Sequence, residues 1–160
     1  MSPFKINQVI QISPESTARA ISEFQNNVRA VNLILGHQVQ YEHDAAFVKA
    51  GISFSVSDKR APLYDREVDG IWQDDKVATF ESANGKLSFS HTISYQEANE
   101  WRNQLALGKD VVIHSFEYVS RDYGEVKYCG SIKFSDIIRD GHLRNGANSH
   151  YFVRDLLTQN

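Results

Sequence analysis

The chain has a single cysteine, Cys129, among its 160 residues, so it cannot close a disulfide on itself. Nor does any stretch approach the eighteen or so consecutive apolar residues that a membrane-crossing helix needs. The opening, MSPFKINQVIQISPES, carries one lysine and no apolar run of signal-peptide length. These absences predict a soluble, cytoplasmic protein. Charge of one sign is also scarce: 17 Lys+Arg against 20 Asp+Glu leave a net −3. That is too weak to indicate general attraction to a nucleic-acid backbone, although a local basic patch remains compatible with it.

Chemical motifs are equally sparse. The histidines are His37, His43, His91, His114, His142 and His150, with no H-x-H or H-x-x-x-H pair. Without a second cysteine, a structural zinc is disfavoured and no metal ligand set is assigned. There is no glycine-rich phosphate loop, no G-x-S-x-G elbow and no dinucleotide fingerprint, so no cofactor is expected. Together these gaps favour a non-enzymatic protein. What is present is ordinary globular composition, 41% hydrophobic and 23% charged, in one domain over residues 1–160.

FKINQVIQI (4–12) alternates apolar residues like a strand. Ser13 and Pro14 then suit a helix start, and Ile21, Phe24, Val28, Val31 and Leu35 form one stripe, which predicts a long helix over 14–35 with Gly36 as its stop. Residues 37–50 have no readable pattern. GISFSVS (51–57) alternates again. Asn84-Gly85 is the strongest hairpin signal, and Ser94-x-x-Glu97 is a capping box opening a short helix over about 95–107. VVIHSFEYV and EVKYCGSIKF read as strands joined by a second hairpin, SRDYG, and the tail HYFVRDLL as a strand or short helix. Hairpins dominate and no βαβ rhythm is visible. The fold expected is therefore α+β, a mainly antiparallel sheet or partial β-barrel packed by the 14–35 and 95–107 helices. Its core is predicted to include Ile21, Phe24, Val28, Val31, Leu35, Phe54, Phe80, Phe89, Trp101, Ile113, Phe116 and Phe134.

Several clusters carry possible chemistry. In DREVDGIWQDDK (65–76), Asp65, Glu67, Asp69 and Gly70 mimic an EF-hand opening, but the twelfth position is Lys76 where a bidentate glutamate belongs. Asp65, Glu67, Asp69, Asp74 and Asp75 against Arg66 instead give −4, a solvated acidic turn able to steer a basic partner. Glu125 and Lys127 on a strand match part of the set that metal-dependent nucleases use, though a cross-strand ion pair fits E-x-K as well. Cys129 could be a thiol nucleophile only with a base such as His114 nearby; a buried structural cysteine is favoured. The stretch RDGHLRNGANSH (139–150) gathers His142, Arg144, Asn145 and His150. It reads as a contact loop with His142, Arg144 and Asn145 facing solvent or an interface, or as a phosphate- or ribose-binding loop with His142 or His150 as general base.

From NGKLSFSHTISYQEANEW onward, roughly residues 84–160, the order of elements resembles phage tail-tube proteins and the tube protein of type VI secretion. The shared order is a strand, a helix bearing Trp101, a strand hairpin with an R-D-x-G-like turn, and a final strand. The resemblance implies a ring-forming, stacking β-domain without catalysis, self-associated and virion-borne if of phage origin. The leading expectation is thus an assembly domain. Its rivals are an inhibitor or immunity-type protein acting through the 65–75 acids, and a small metal-dependent nuclease or hydrolase using His142, His150, Arg144, Glu125 and Lys127.

Overall fold

The fold is seen in a computed structural model that describes residues 2–16, 18–19, 31–57, 63–81, 84–121 and 123–157, with only the backbone of 31–33. It is α+β. A curled six-stranded sheet has the order β1 (Val9–Gln11), β7 (Glu125–Lys133), β6 (Val111–Tyr118), β4 (Ile71–Ala78), β3 (Arg66–Val68), β2 (Ser55–Val56). A three-stranded sheet has the order β5 (Ser90–Ile93), β9 (His150–Val153), β8 (Arg144–Asn145). Helices α1 (Val31–Lys49), α2 (Tyr95–Ala106) and α3 (Phe134–Arg139) complete it, with a 3-10 turn at Arg154–Leu156.

Among the described residues every strand pairing is antiparallel except the central one. β4 and β6 run parallel over seven registered residues, Trp72↔Val111 to Ala78↔Glu117. The chain between them includes α2, so the fold does contain the strand–helix–strand crossover that parallel neighbours require. The alternation of β4 hides this, because Gln73, Asp74, Asp75 and Lys76 interrupt its apolar residues.

β6 sits between layers and is buried on both faces. Val111 and Ile113 join Ile93, Ala98, Trp101, Ile132, Phe134, Ile137 and Phe152 in one core, under α2, α3 and the small sheet. Phe116 and Tyr118 point the other way, into a second core with Leu35, Val39, Val126 and Tyr128. The register shift at Ser115/Phe116 leaves Cys129 as the extra residue of β7, with Gly130 beside it at φ 115°. This bulge bends β7 and still keeps Val126 and Tyr128 facing the second core.

Gly36 does not end a helix. Helical backbone appears at 14–16 and 18–19, and α1 runs from Val31 through Gly36 to Lys49; residues 20–30, with Ile21, Phe24 and Val28, lie outside the described set, as does the Val31 side chain. The stop is Gly51, at φ 72°, where its N–H bonds the Val48 carbonyl. The capping box is formed as read: Ser94 Oγ accepts from the Glu97 N–H at 3.0 Å and Glu97 from the Ser94 N–H at 2.9 Å. Asp69-Gly70, with φ of 51° and 79°, makes the tight β3–β4 hairpin, a type I′ signature inside the supposed acidic loop. At Asn84-Gly85 the turn closes a single bridge, Phe80↔Leu87, before the chain leaves for the small sheet. Phe89 therefore precedes β5 and is 68% exposed instead of buried, its carbonyl accepting the Arg154 N–H at the end of the β5–β9 pairing. The tail is a strand followed by the 3-10 turn. Leu35, Trp101, Ile113, Phe116 and Phe134 are buried as expected, and Phe54 and Phe80 are half-buried.

His91 joins the two sheets, its Nε2 2.7 Å from Ser115 Oγ. Burial first, then the cations Arg154 and Lys76, lower its pKa to about 3. Between that value and the unfolded 6.5 the unfolded chain binds one proton more than the folded chain, so this histidine subtracts stability as pH falls. Replacing it with Asn removes that term. The stability deficit of His91→Asn relative to wild type should shrink by about 1.4 kcal/mol per pH unit below about 6.5 in urea titrations. A deficit independent of pH between 6.5 and 4 contradicts the assignment.

Candidate functional site

β4 carries a polar run on a strand buried from both sides, and alternation sends its residues to opposite faces. Gln73 and Asp75 face α1; Asp74 and Lys76 face α2. Under α1 the Arg66 side chain, fully buried, is held by two carboxylates. Its Nε donates to Asp44 Oδ1 at 2.6 Å, and its Nη1 and Nη2 donate to Asp75 at 3.0 and 2.5 Å. Its guanidinium also lies over the Phe47 ring, 5.3 Å from the centroid. Arginine suits this place because its fork matches a carboxylate bidentately.

His43 of α1 continues the network. Its Nδ1 is 3.0 Å from Asp75 Oδ1, and its Nε2 is 2.7 Å from Ser2 Oγ. Its ring packs edge-on to His114, with centroids 4.8 Å apart, and Phe4 stacks over it at 5.0 Å. His114 in turn bonds Tyr128 OH (2.9 Å) and Gln73 Oε1 (2.8 Å). Burial would raise the Asp75 carboxyl, but Arg66 and His43 overcome it and hold it below the usual carboxylate range. Burial lowers the pKa of His43 against the pull of Asp75, and lowers His114 further, with His43 beside it. Both rings are thus neutral near pH 7, and Asp75 is the ionised member. Nδ1 of His43 must then carry the proton, since an ionised carboxylate only accepts.

On the other face Lys76 lies 3.0 Å from Asp74 and 3.3 Å from Glu97, above the Trp101 ring. Burial raises the Asp74 carboxyl to about 7 despite Lys76. Further along this face is a cleft of about 370 Å³ lined by Ser115, Glu117, Lys127, Cys129 and Arg154 among others. Its cations Lys127 and Arg154 are balanced by Glu117 and Asp155, and Glu117 bonds Lys127 at 2.8 Å and Arg154 at 2.5 Å. Burial pushes the Cys129 thiol up to about 11, which makes it a poor nucleophile, and His114 points to Tyr128 and Gln73 instead.

The acidic segment is not a solvated turn. Asp65 accepts the Asp75 N–H at 2.6 Å, and Asp74 and Asp75 are enclosed and ion-paired, because this stretch is a hairpin whose second strand enters the sheet centre. Only Asp69 is exposed, with Glu67 half-buried. Arg144 and Asn145 are exposed on β8 and His142 is half-buried. Asn145 pairs His150, whose ring packs on Tyr95 at 4.6 Å. Glu125 and Lys127 belong to the other sheet, where Glu125 accepts from Gln11 at 2.8 Å and Lys127 pairs Glu117 across strands. The nuclease set is thus divided between sheets, and among the described residues no group of three His, Cys, Asp or Glu is placed to hold a metal ion.

His43, Asp44 and Arg66, to which no sequence pattern assigns a site, form a connected polar cluster with Asp75. The one usable signal was the patternless stretch 37–50: a helix whose inward face is itself polar shows no apolar stripe. Removing one partner from such a pair strands a buried charge. Asp75→Asn should cost about 3–5 kcal/mol in urea unfolding, whereas Asp136→Asn, facing the exposed Arg139, should change little. Equal, small losses contradict the anchoring role of Asp75. Comparison with known proteins finds no family model that matches the chain and no match among curated proteins.

Proposed function

We propose that the chain is a protein-interaction domain that assembles through the two ends of its six-stranded sheet, as a ring- or tube-forming component of phage or secretion-tube type would. The observation that carries this is the pair of open edges. Among the described residues no strand lies beyond β1 or β2, and Val9 and Val56 at these edges are 48% and 53% exposed. The edges differ in sequence. An edge of one copy therefore meets the opposite edge of the next, a head-to-tail contact that generates rings or open helices. Each strand has only two or three residues, so a single contact is weak and closure of a ring supplies the stability.

Placement of the acids lends the inhibitor reading little support, since Asp74 and Asp75 already have internal cationic partners. The exposed β8 residues Arg144 and Asn145 are better placed to meet a neighbouring protein. Light scattering of the purified protein at micromolar concentration should give a mass of several chains. Val9→Lys or Val56→Lys should each lower it, because a charge at an edge opposes pairing. A stable wild-type monomer overturns the proposal, as does an oligomer that both variants leave intact.

A further inference from the structure

Two serines are hydrogen-bonded to a histidine ring, and their surroundings differ. Ser115 meets His91, whose ring packs on Phe152 and whose charged neighbours are the cations Arg154 and Lys76. Ser2 meets His43 Nε2 at 2.7 Å, and Asp75 holds the opposite nitrogen at 3.0 and 3.1 Å. The second arrangement places a hydroxyl, an imidazole and a carboxylate in the order that nucleophilic acyl transfer uses, recognised by geometry and not by position in the chain. We propose that Ser2, His43 and Asp75 form a nucleophile, base and orienting carboxylate that transfers small activated acyl or phosphonyl groups to Ser2 Oγ. This is independent of assembly through the sheet edges.

The protons are placed for it. Asp75 is ionised, so His43 Nδ1 carries the hydrogen and Nε2 is bare. Ser2 therefore donates its hydroxyl proton to Nε2, and its oxygen accepts the Phe4 N–H at 3.0 Å. The Tyr128 hydroxyl also lies against Ser2, but its hydrogen goes to His114 Nδ1, because neutral His114 donates from Nε2 to Gln73 Oε1. Access is one-sided: the His43 and Asp75 side chains are fully enclosed, with Phe4 stacked on the imidazole, while Ser2 is only half-buried. The groups facing His43 are Asp75, Arg66, His114 and Tyr128, with Phe4, Phe47 and Phe116 as apolar walls.

Arg66 sets the range of chemistry. Its two bonds to Asp75 draw on the carboxylate that would stabilise a protonated His43, so the base is weak. Substrates must bring good leaving groups, as aryl esters and fluorophosphonates do, and amides lie beyond it. With a fluorophosphonate the Oγ–P bond forms and the P–F bond breaks. The Ser2 proton passes to His43 Nε2 and then to water, and fluoride departs. With an aryl ester the Oγ–C bond forms and the bond from the acyl carbon to the aryl oxygen breaks. The Ser2 proton passes through His43 Nε2 to the leaving phenolate. Water, deprotonated by the freed His43, then releases the acid while the proton taken from it passes to Ser2 Oγ.

The test is intact-mass and peptide mass spectrometry of the full chain after incubation with a fluorophosphonate, with a known serine hydrolase as positive control. One adduct per chain should appear on the peptide holding Ser2. Ser2→Ala should lose at least ten-fold of the labelling with an unchanged circular dichroism spectrum, and Ser115→Ala should keep it. Because burial holds His43 below its usual range, the labelling rate should be level from pH 7 upward and fall only below about 6.5. A merely exposed hydroxyl would instead label faster as pH rises. No adduct under conditions that label the control, an adduct that Ser2→Ala retains, or a rate that climbs steadily with pH overturns the proposal.

Discussion

The rest of the structure depends on one ion cluster, the Arg66 guanidinium gripped by Asp44 of α1 and Asp75 of β4. Arg66 stands on β3, so three elements meet at one charge. Burying it is costly, and the attraction offsets that cost only because all its contacts are short and the carboxylates are also engaged, Asp75 by His43 and Asp44 by Arg66 itself. Apolar packing alone would allow α1 to slide over the sheet. A two-pronged guanidinium on two specific carboxylates does not, so α1 has a single register over the curled sheet.

From that register the polar interior follows. With His43 fixed by Asp75, His114 of β6 is brought edge-on against it, and Gln73 and Tyr128 satisfy its two nitrogens. The bulge at Cys129 then keeps Tyr128 on this face while Lys127 meets Glu117 on the other. One network therefore crosses the sheet centre, with an apolar core on each face of the sheet. Its more open end is Ser2, which is half-buried.

The elements marked by local chemistry were legible in the sequence: the Ser94–Glu97 capping box, the β6–β7 hairpin, Trp101 inside the core, and the α+β class. What escaped reading shares one cause. Hydrophobic periodicity reports a segment whose buried side is apolar, and here α1 and β4 bury His43, Asp44, Gln73, Asp74 and Asp75. Those residues turned α1 into an unreadable stretch, moved its end from Lys49 to Gly36, and disguised a central parallel strand as a solvated acidic turn. Gly36 looked like a stop because it follows Leu35; a helix held by tertiary ion pairs tolerates the roughly 1 kcal/mol a mid-helix glycine costs. The site was invisible for a further reason: its members lie at positions 2, 43, 66, 75 and 114 and meet only once the sheet has curled.

The pairing of α1 to the sheet through Arg66 can be measured residue by residue by native-state hydrogen exchange on wild type and Arg66→Met. If the ion cluster anchors α1, the amides of 34–49 lose most of their protection in the variant while those of α2 and of the β6–β7 ladder keep theirs. Protection lost evenly over all these elements, or retained in α1, contradicts that account.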